Sequence, residues 1–464
     1  MVPLKLAIVG SGPAGFYTAS RLLEKVPNAV VDMYEALPVP FGLSRFGVAP
    51  DHPEVKNCQD KFVQVAEAPH FRFVGNVCIG RDLTLKSLKD NYNSVVFAYG
   101  SSQDRLLNVP GEELPGVFSA REFVGWYNGV PELRALNPPL QDAEDVVIVG
   151  NGNVALDVAR ILLADPTRLK STDIGEHAYD VLRKSKVKNV RIVGRRGLLQ
   201  SAFTNKEIRE LINEPGTMMK PLADVYINHY KPFVPFLERP IKRLVQIVEK
   251  ARTNSNDQIA KANQGQGSLP SKQWSLEYLL SPQRFYASSS NPNILSSTLF
   301  EVNTLLQKDI KSPSVCRGTG ETKSFKTELA FRSIGYKSLP LPGSAELGIP
   351  FDEQSGRIPN ELGRIAGVPG FYVSGWVKNG PTGVIAKTMW DAFEVAETVL
   401  EDLYSHKLDT SSKPGYEGVL PEIKSQPVSW TDWLKIDQEE TSRGAAQGKP
   451  RAKFTSVNDM LSVL

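Results

Sequence analysis

The chain of 464 residues has material for two or three domains. Its hydrophobic fraction of 41% and charged fraction of 23% describe an ordinary globular protein and exclude wholesale disorder. A net charge of +3 is too small for a general nucleic-acid binder but leaves room for a local basic patch, and the sequence has no apolar run of the roughly 18 residues a spanning helix needs.

The chain reaches an apolar strand by Leu6, which leaves no room for a signal or transit peptide and points to either a cytosolic protein or a processed form. Residues 4–15 read L-K-L-A-I-V-G-S-G-P-A-G: a short apolar strand runs into Gly10-x-Gly12-x-x-Gly15, and a helical stretch follows through Leu23. The next strand, V-V-D-M-Y-E, ends on Glu35, twenty residues beyond Gly15. This is a full strand, glycine loop, helix, strand and acid unit. Gly10 permits the tight turn, Gly12 lets the backbone approach a pyrophosphate, and Gly15 lets helix and strand pack closely. The pyrophosphate would sit on the helix N-terminus and Glu35 on the ribose hydroxyls. The alternative is a coincidental glycine turn.

Cys58, Cys78 and Cys316 are widely separated, with no C-x-x-C. They read as reduced core thiols, which excludes a zinc knuckle and a local redox dithiol and argues against a disulfide reductase. With only five histidines, no metal site is expected. The strand Val95 to Gly100 ends in small residues and looks like the chain leaving the first unit.

A second unit starts at Asp145: D-V-V-I-V-G-N-G-N-V-A-L-D runs an apolar strand into Gly150-x-Gly152-x-x-Ala155. The interval from Asp165 to Lys188 is long enough for an extra helix. The next apolar strand, N-V-R-I-V-G, ends on Arg195 and Arg196, where the first unit has its acid. A carboxylate favours a free 2′-hydroxyl, whereas arginine favours a 2′-phosphate. The pair reads either as NADP recognition or as a solvated basic strand end.

Residues 254–271 are polar and read as a mobile loop or frayed helix. The segment Leu329 to Tyr336 looks like the chain leaving the second unit. Gly370 to Trp376 reads as one more buried strand, and G-P-T-G-V-I-A-K begins a helix through Leu403. Residues 408–427 read as a linker to a C-terminal tail anchored by Trp430 and Trp433. Two dinucleotide units in one chain imply a hydride carrier and its partner, and FAD with NADPH is the common pairing. The predicted fold is α/β, with two Rossmann-like dinucleotide-binding domains, the NADP domain (108–330) inserted into a split FAD domain (1–107 and 331–464).

Several segments resemble the adrenodoxin reductase family of NADPH–ferredoxin oxidoreductases: P-V-P-F-G-L-S-R-F-G-V-A-P-D-H-P-E-V-K-N from Pro38, G-V-F-S-A-R-E-F-V-G-W-Y-N-G from Gly116, G-N-G-N-V-A-L-D-V-A-R, S-G-W-V-K-N-G-P-T-G-V-I, and the C-terminal S-R-G-A-A-Q-G-K-P-R. The resemblance runs over nearly the whole chain, and residues 250–293 match poorly. It implies bound FAD, NADPH as donor, and a small acidic [2Fe–2S] ferredoxin as acceptor, feeding cytochrome P450, haem-related or iron–sulfur assembly pathways. It also implies a mitochondrial location, in the matrix and associated with the inner membrane, at most peripherally, although the presequence of mitochondrial members is absent from this chain. Flavin-dependent quinone reductases and monooxygenases are the rival enzymes, and a nucleotide sensor is the non-enzymatic one.

The resemblance places Ala14, Glu35, Leu43 and Ile79 against FAD, with Trp376, Gly383, Val384 and Ile385 around the isoalloxazine. It places Asn151, Gly152, Asn153, Val154, Arg195, Arg196 and Glu207 against NADP. His52, Asp157 and Glu207 are the candidate catalytic or positioning groups. His52 reads either as a flavin contact or as a loop hydrogen bond, Glu207 either as a nicotinamide-amide partner or as a solvated helix carboxylate, and Trp376 either as a flavin cover or as core. For partner docking, Arg239, Lys242 and Arg243 would lie on one side of a helix, and Arg209 resembles a further docking position.

Overall fold

A computed structural model describes residues 3–306 and 314–464. The chain divides into two compact units. One comprises Met1–Arg105, Asn128–Glu132 and Gly335–Leu464, the other Leu106–Tyr127 and Leu133–Ile334.

The first unit is built on a seven-stranded sheet whose five-stranded parallel part is centred on Lys5–Val9. It pairs in parallel with Val30–Tyr34 on one side and Ser94–Phe97 on the other. Phe71–Val74 and Phe371–Val373 extend the parallel part, and two short antiparallel strands close one edge. The alternation of side chains along a strand accounts for the layering. Leu6 and Ile8 face a core shared with the helix Pro13–Lys25, the helix Ile385–Tyr404 and the C-terminal tail, whereas Ala7 and Val9 face a second core around Leu85, Leu88 and Val419. A strand buried on both faces reads as an unbroken apolar run, as this one does.

The second unit repeats the scheme. Six parallel strands run in the order Val117–Ser119, Leu329–Arg332, Asp145–Val149, Asn189–Val193, Lys272–Glu277, Thr217–Met219. Val146 and Ile148 meet the helical side. Val147 and Val149 meet a three-stranded antiparallel sheet, Leu280–Ala287, Leu295–Leu306 and Val315–Lys326. The periodicity did not announce this sheet, because its last strand, V-C-R-G-T-G-E-T-K-S-F-K, is polar and exposed along most of its length.

Three expectations need correction. Residues 254–263 are neither a loop nor frayed: they complete the 25-residue helix Arg239–Asn263, whose Leu244, Val245, Val248, Ala251 and Ser255 make a buried stripe at helical spacing. Residues 408–427 are not a free linker, since Leu408 and Val419 are core residues and Val428 forms an antiparallel bridge to Gly75. The three cysteines are free, as expected, but all are partly exposed rather than in the core. The interval from Asp165 to Lys188 holds two short helices, Pro166–Lys170 and Glu176–Leu182. The tail is anchored as expected: Trp433 is buried on the helix Trp430–Ala445, which starts at a Ser429–Asp432 capping box.

Candidate functional site

Both glycine loops sit at the carboxyl ends of their parallel strands, where open α/β sheets bind ligands. Gly10 (φ +107°) and Gly150 (φ +125°) make the turns. A Cβ on Gly10 would stand 2.5 Å from the Ala98 carbonyl oxygen, and one on Gly150 2.0 Å from that of Ser333, so both turns require glycine. Gly15 is forced by packing, since its Cβ would lie 2.2 Å from the Gly10 carbonyl oxygen. Gly12 and Gly152 differ in kind: a Cβ on either would meet nothing within 4 Å. Each is the N-cap of its helix, Pro13–Lys25 or Asn153–Leu163, and no side chain caps the first turn. Two open cradles thus face uncapped helix N-termini, which suits a pyrophosphate in each.

In the first unit, Glu35 is half-buried beside the loop. Its carboxylate accepts from the Ser11 amide (3.1 Å), the Ser11 hydroxyl (2.7 Å) and the Leu37 amide (3.1 Å). Burial lifts its carboxyl above the usual range against those bonds. Ala14 is buried and Ile79 is buried beyond the end of Phe71–Val74, while Leu43 is exposed on the short helix Leu43–Phe46. Gly375 packs so tightly on Ala14 that a Cβ there would come within 2.5 Å of the Ala14 Cβ. Trp376 follows, half-buried with its ring centroid 6.0 Å from that of Tyr336, so it is not a core residue. Gly383 and Val384 are exposed at the uncapped start of Ile385–Tyr404. Asp391 on that helix holds the Gly375 turn, accepting from the Gly375 amide (2.9 Å), Lys378 Nζ (2.7 Å) and Asn379 Nδ2 (2.6 Å). No motif marked Asp391, which reaches the turn only through folding. His52 makes a loop contact, Nδ1 to Glu54 Oε1 at 3.2 Å.

In the second unit, Asn153 Oδ1 accepts from the Thr204 amide (2.8 Å), and Thr204 in turn caps Asn205–Ile212, the helix that carries Glu207. Glu207 is not a solvated carboxylate. Its Oε2 lies 3.6 Å from Arg160, which also takes Asp157 at 2.8 Å, and the Arg160 side chain is only 3% exposed. Asp157 and Glu207 therefore converge on one buried guanidinium. Arg195 is exposed and Arg196 half-exposed, and among the described residues neither makes an ion pair. Their backbone is held from the antiparallel sheet: the Arg196 carbonyl accepts from the Leu279 amide (3.2 Å), and the Arg195 carbonyl accepts from Asn303 Nδ2 (3.0 Å) and Cys316 Sγ (3.1 Å). Burial pushes the Cys316 thiol up despite the two nearby guanidiniums, consistent with its donor role. Sequence reading missed Asn303, which sits at a bulge in its strand and also donates to Ser281 Oγ. Asn303→Ala is expected to weaken NADPH binding by roughly tenfold, through the loss of its hydrogen bond to the Arg195 carbonyl, and to leave NADH binding unchanged. Titration with both nucleotides tests this.

The four candidate docking residues split. Arg239, Lys242 and Arg243 are exposed in the first turns of Arg239–Asn263. Arg243 joins Arg209 and Lys250 around a cavity of about 410 Å³ floored by Ile212, Ile247 and Ala251, whereas Arg239 and Lys242 do not line it.

Two dinucleotide cradles, one flanked by a carboxylate and the other by paired guanidiniums, define a flavoprotein oxidoreductase linked to a pyridine nucleotide. Residues 4–217 match the pyridine nucleotide-disulphide oxidoreductase family. The chain is 47% identical to NADPH:adrenodoxin oxidoreductase, mitochondrial, of Homo sapiens (99% of this chain, 92% of that protein) and 38% identical to the Arabidopsis thaliana protein of that name (99% and 95%). The structure of Mycobacterium tuberculosis FprA in complex with NADPH superposes with a TM-score of 0.90 at 35% identity, covering 99% of each chain. The chain belongs to the NADPH:adrenodoxin oxidoreductase family.

Proposed function

We propose that this protein takes a hydride from NADPH and delivers electrons, through bound FAD, to a small acidic [2Fe–2S] ferredoxin. The observation that carries this reading is the opposite chemistry of the two cradles: Glu35 beside one suits a free ribose hydroxyl, and Arg195 with Arg196 beside the other suits a 2′-phosphate. FAD is assigned to the first compact unit, expected over 1–107 and 331–464, and NADP to the second, expected over 108–330; the units depart from those bounds by a few residues and by Asn128–Glu132, which belongs to the first.

Bound FAD supplies the conversion between a two-electron donor and a one-electron acceptor. The residues bind and orient. Gly12 and the first turn of Pro13–Lys25 take the FAD pyrophosphate, with Glu35 on its ribose and Ala14, Leu43 and Ile79 along its length. Trp376 and Gly383 to Ile385 border the ring system. Asn151 to Val154 take the NADP pyrophosphate. Glu207, oriented by Arg160, is assigned to the nicotinamide amide, and Asp157 acts by fixing Arg160. His52 is assigned to the flavin side. Hydride transfer requires close, fixed stacking of two rings and no obligatory acid or base, so these are positioning groups.

The docking face is assigned to Arg209, Arg239, Lys242 and Arg243. Three cations in the first turns of Arg239–Asn263, with no acid in its first turn, oppose the positive end of the helix dipole. Helix stability does not explain that arrangement, whereas an acidic partner does. Ferredoxin-dependent cytochrome c reduction is expected to fall with salt, because screening acts over about 10 Å at 0.1 M. Arg239→Glu/Arg243→Glu is expected to abolish most of it while ferricyanide reduction persists. Equal loss of both activities, or of neither, would remove this face. We also assign the protein to the mitochondrial matrix with at most peripheral membrane association. The matched relatives are named mitochondrial, and no described helix is long and apolar enough to cross a membrane.

A further inference from the structure

We infer that the C-terminal segment is a working part of the FAD site, and that Glu440 is a positioning residue for FAD acting through Arg45. The inference rests on the assignment of FAD to the first unit.

The turn Phe41–Gly42 closes over the dinucleotide loop. The Phe41 amide donates to the Ser11 carbonyl at 3.0 Å, and a Cβ on Gly42 would stand 3.1 Å from Gly12 Cα. Whatever fixes this turn therefore fixes one wall of the cradle. The turn is not self-sustaining, because Phe41 has φ +84°, a conformation a bulky side chain keeps only when its surroundings impose it. Part of that constraint comes from the C-terminal tail, whose Trp430 and Trp433 pack edge-on against the Phe41 ring with centroids 6.2 and 5.9 Å away.

The rest comes through Arg45, four residues further on and 3% exposed. Its Nη2 donates to both oxygens of Glu440, at 2.6 and 2.7 Å, across 395 residues of chain. Its guanidinium lies between the rings of Phe46 (5.1 Å) and Trp433 (5.2 Å). Glu440 is fully buried and also accepts from Arg451 Nη1 (2.8 Å) and the Phe454 amide (3.0 Å). Lys453 Nζ reaches back to the Arg45 carbonyl at 3.4 Å. The guanidiniums and the amide hold the Glu440 carboxyl below its usual range although burial opposes ionisation. A buried ion pair is weak evidence for stability, since desolvation offsets the attraction, and its attested use is to specify one arrangement. Here the arrangement specified is the turn over Gly12.

The test uses the full-length apoprotein titrated with FAD, with flavin fluorescence and flavin-band circular dichroism as readouts. Wild type must take up FAD, or the FAD assignment itself fails. Glu440→Gln is expected to raise the FAD Kd by roughly tenfold or more and to alter the flavin dichroism, with Glu440→Asp intermediate. Because Glu440→Gln leaves Arg45 buried without its charge partner and risks unfolding, Arg45→Met/Glu440→Gln is measured beside it. This variant removes both charges of the pair, keeps a side-chain acceptor for the Phe454 amide and leaves Arg451 its Asp437 partner, so it is expected to melt near wild type and still bind FAD weakly. A stable double variant with an FAD Kd within about twofold of wild type would make the pair merely structural and overturn the inference.

Discussion

Gly152→Val is expected to yield a folded, FAD-containing protein that has lost NADPH binding. Gly152 has extended backbone (φ −98°, ψ −179°) that any residue adopts, and a Cβ there would meet nothing within 4 Å beyond its chain neighbours. The cost to folding is therefore small. The space the valine fills is the cradle itself, at the N-terminus of Asn153–Leu163, so it excludes the pyrophosphate from the helix amides. Each charge-assisted bond is worth about 1.5–3 kcal/mol, and losing two gives roughly a 10²–10⁴-fold rise in Kd. Gly150→Ala makes the contrast two residues away. Its Cβ would collide with the Ser333 carbonyl at 2.0 Å in a left-handed conformation, so the melting temperature falls along with binding. Calorimetric titration with NADPH and thermal melts of both variants separate the two effects. Wild-type NADPH affinity in Gly152→Val would move the cradle elsewhere.

The second large effect is on coenzyme choice. Arg195→Ala/Arg196→Ala is expected to raise the Michaelis constant for NADPH by roughly 10²-fold or more while moving that for NADH by less than about threefold. The asymmetry follows from geometry: among the described residues the two guanidiniums have no ion-pair partner of their own, so removing them orphans no carboxylate and disturbs little of the fold. Arg195 is exposed, and solvent screening places its share at the low end. Arg195→Lys/Arg196→Lys is expected to recover only part of the preference, because an ammonium cannot form the paired contact of a guanidinium with a phosphate. Equal losses for both nucleotides would make the pair structural.

Local chemistry is legible in this sequence wherever one residue type is dictated by its own backbone or its immediate neighbours. Gly10 and Gly150 stand at positive φ hard against a carbonyl, so the two loops could be read from glycine spacing and the apolar runs before them. The central strands read as strands because they are buried on both faces. Long-range partners were not legible. Asp157 and Arg160 are three apart on one helix and so locally paired, but nothing near Glu207 in the sequence says that it joins them, and nothing near Arg195 points to Asn303. The polar strand Val315–Lys326 hid the antiparallel sheet because only one neighbouring strand, and no periodic apolar face, holds it in place.

By itself the sequence determined the two nucleotide loops, the sign of the charge beside each, and the order in which the strands are laid down. These depend on backbone sterics, helix dipoles and side-chain charge, which act within a few residues. Only the tertiary structure decided which side chains hold those loops in register: Asp391 under the Gly375 turn, Asn303 behind Arg195, and Glu440 against Arg45. Each is a polar contact across a long chain separation. Its partner is chosen by where packing of the apolar faces brings distant segments together, and no local pattern encodes that.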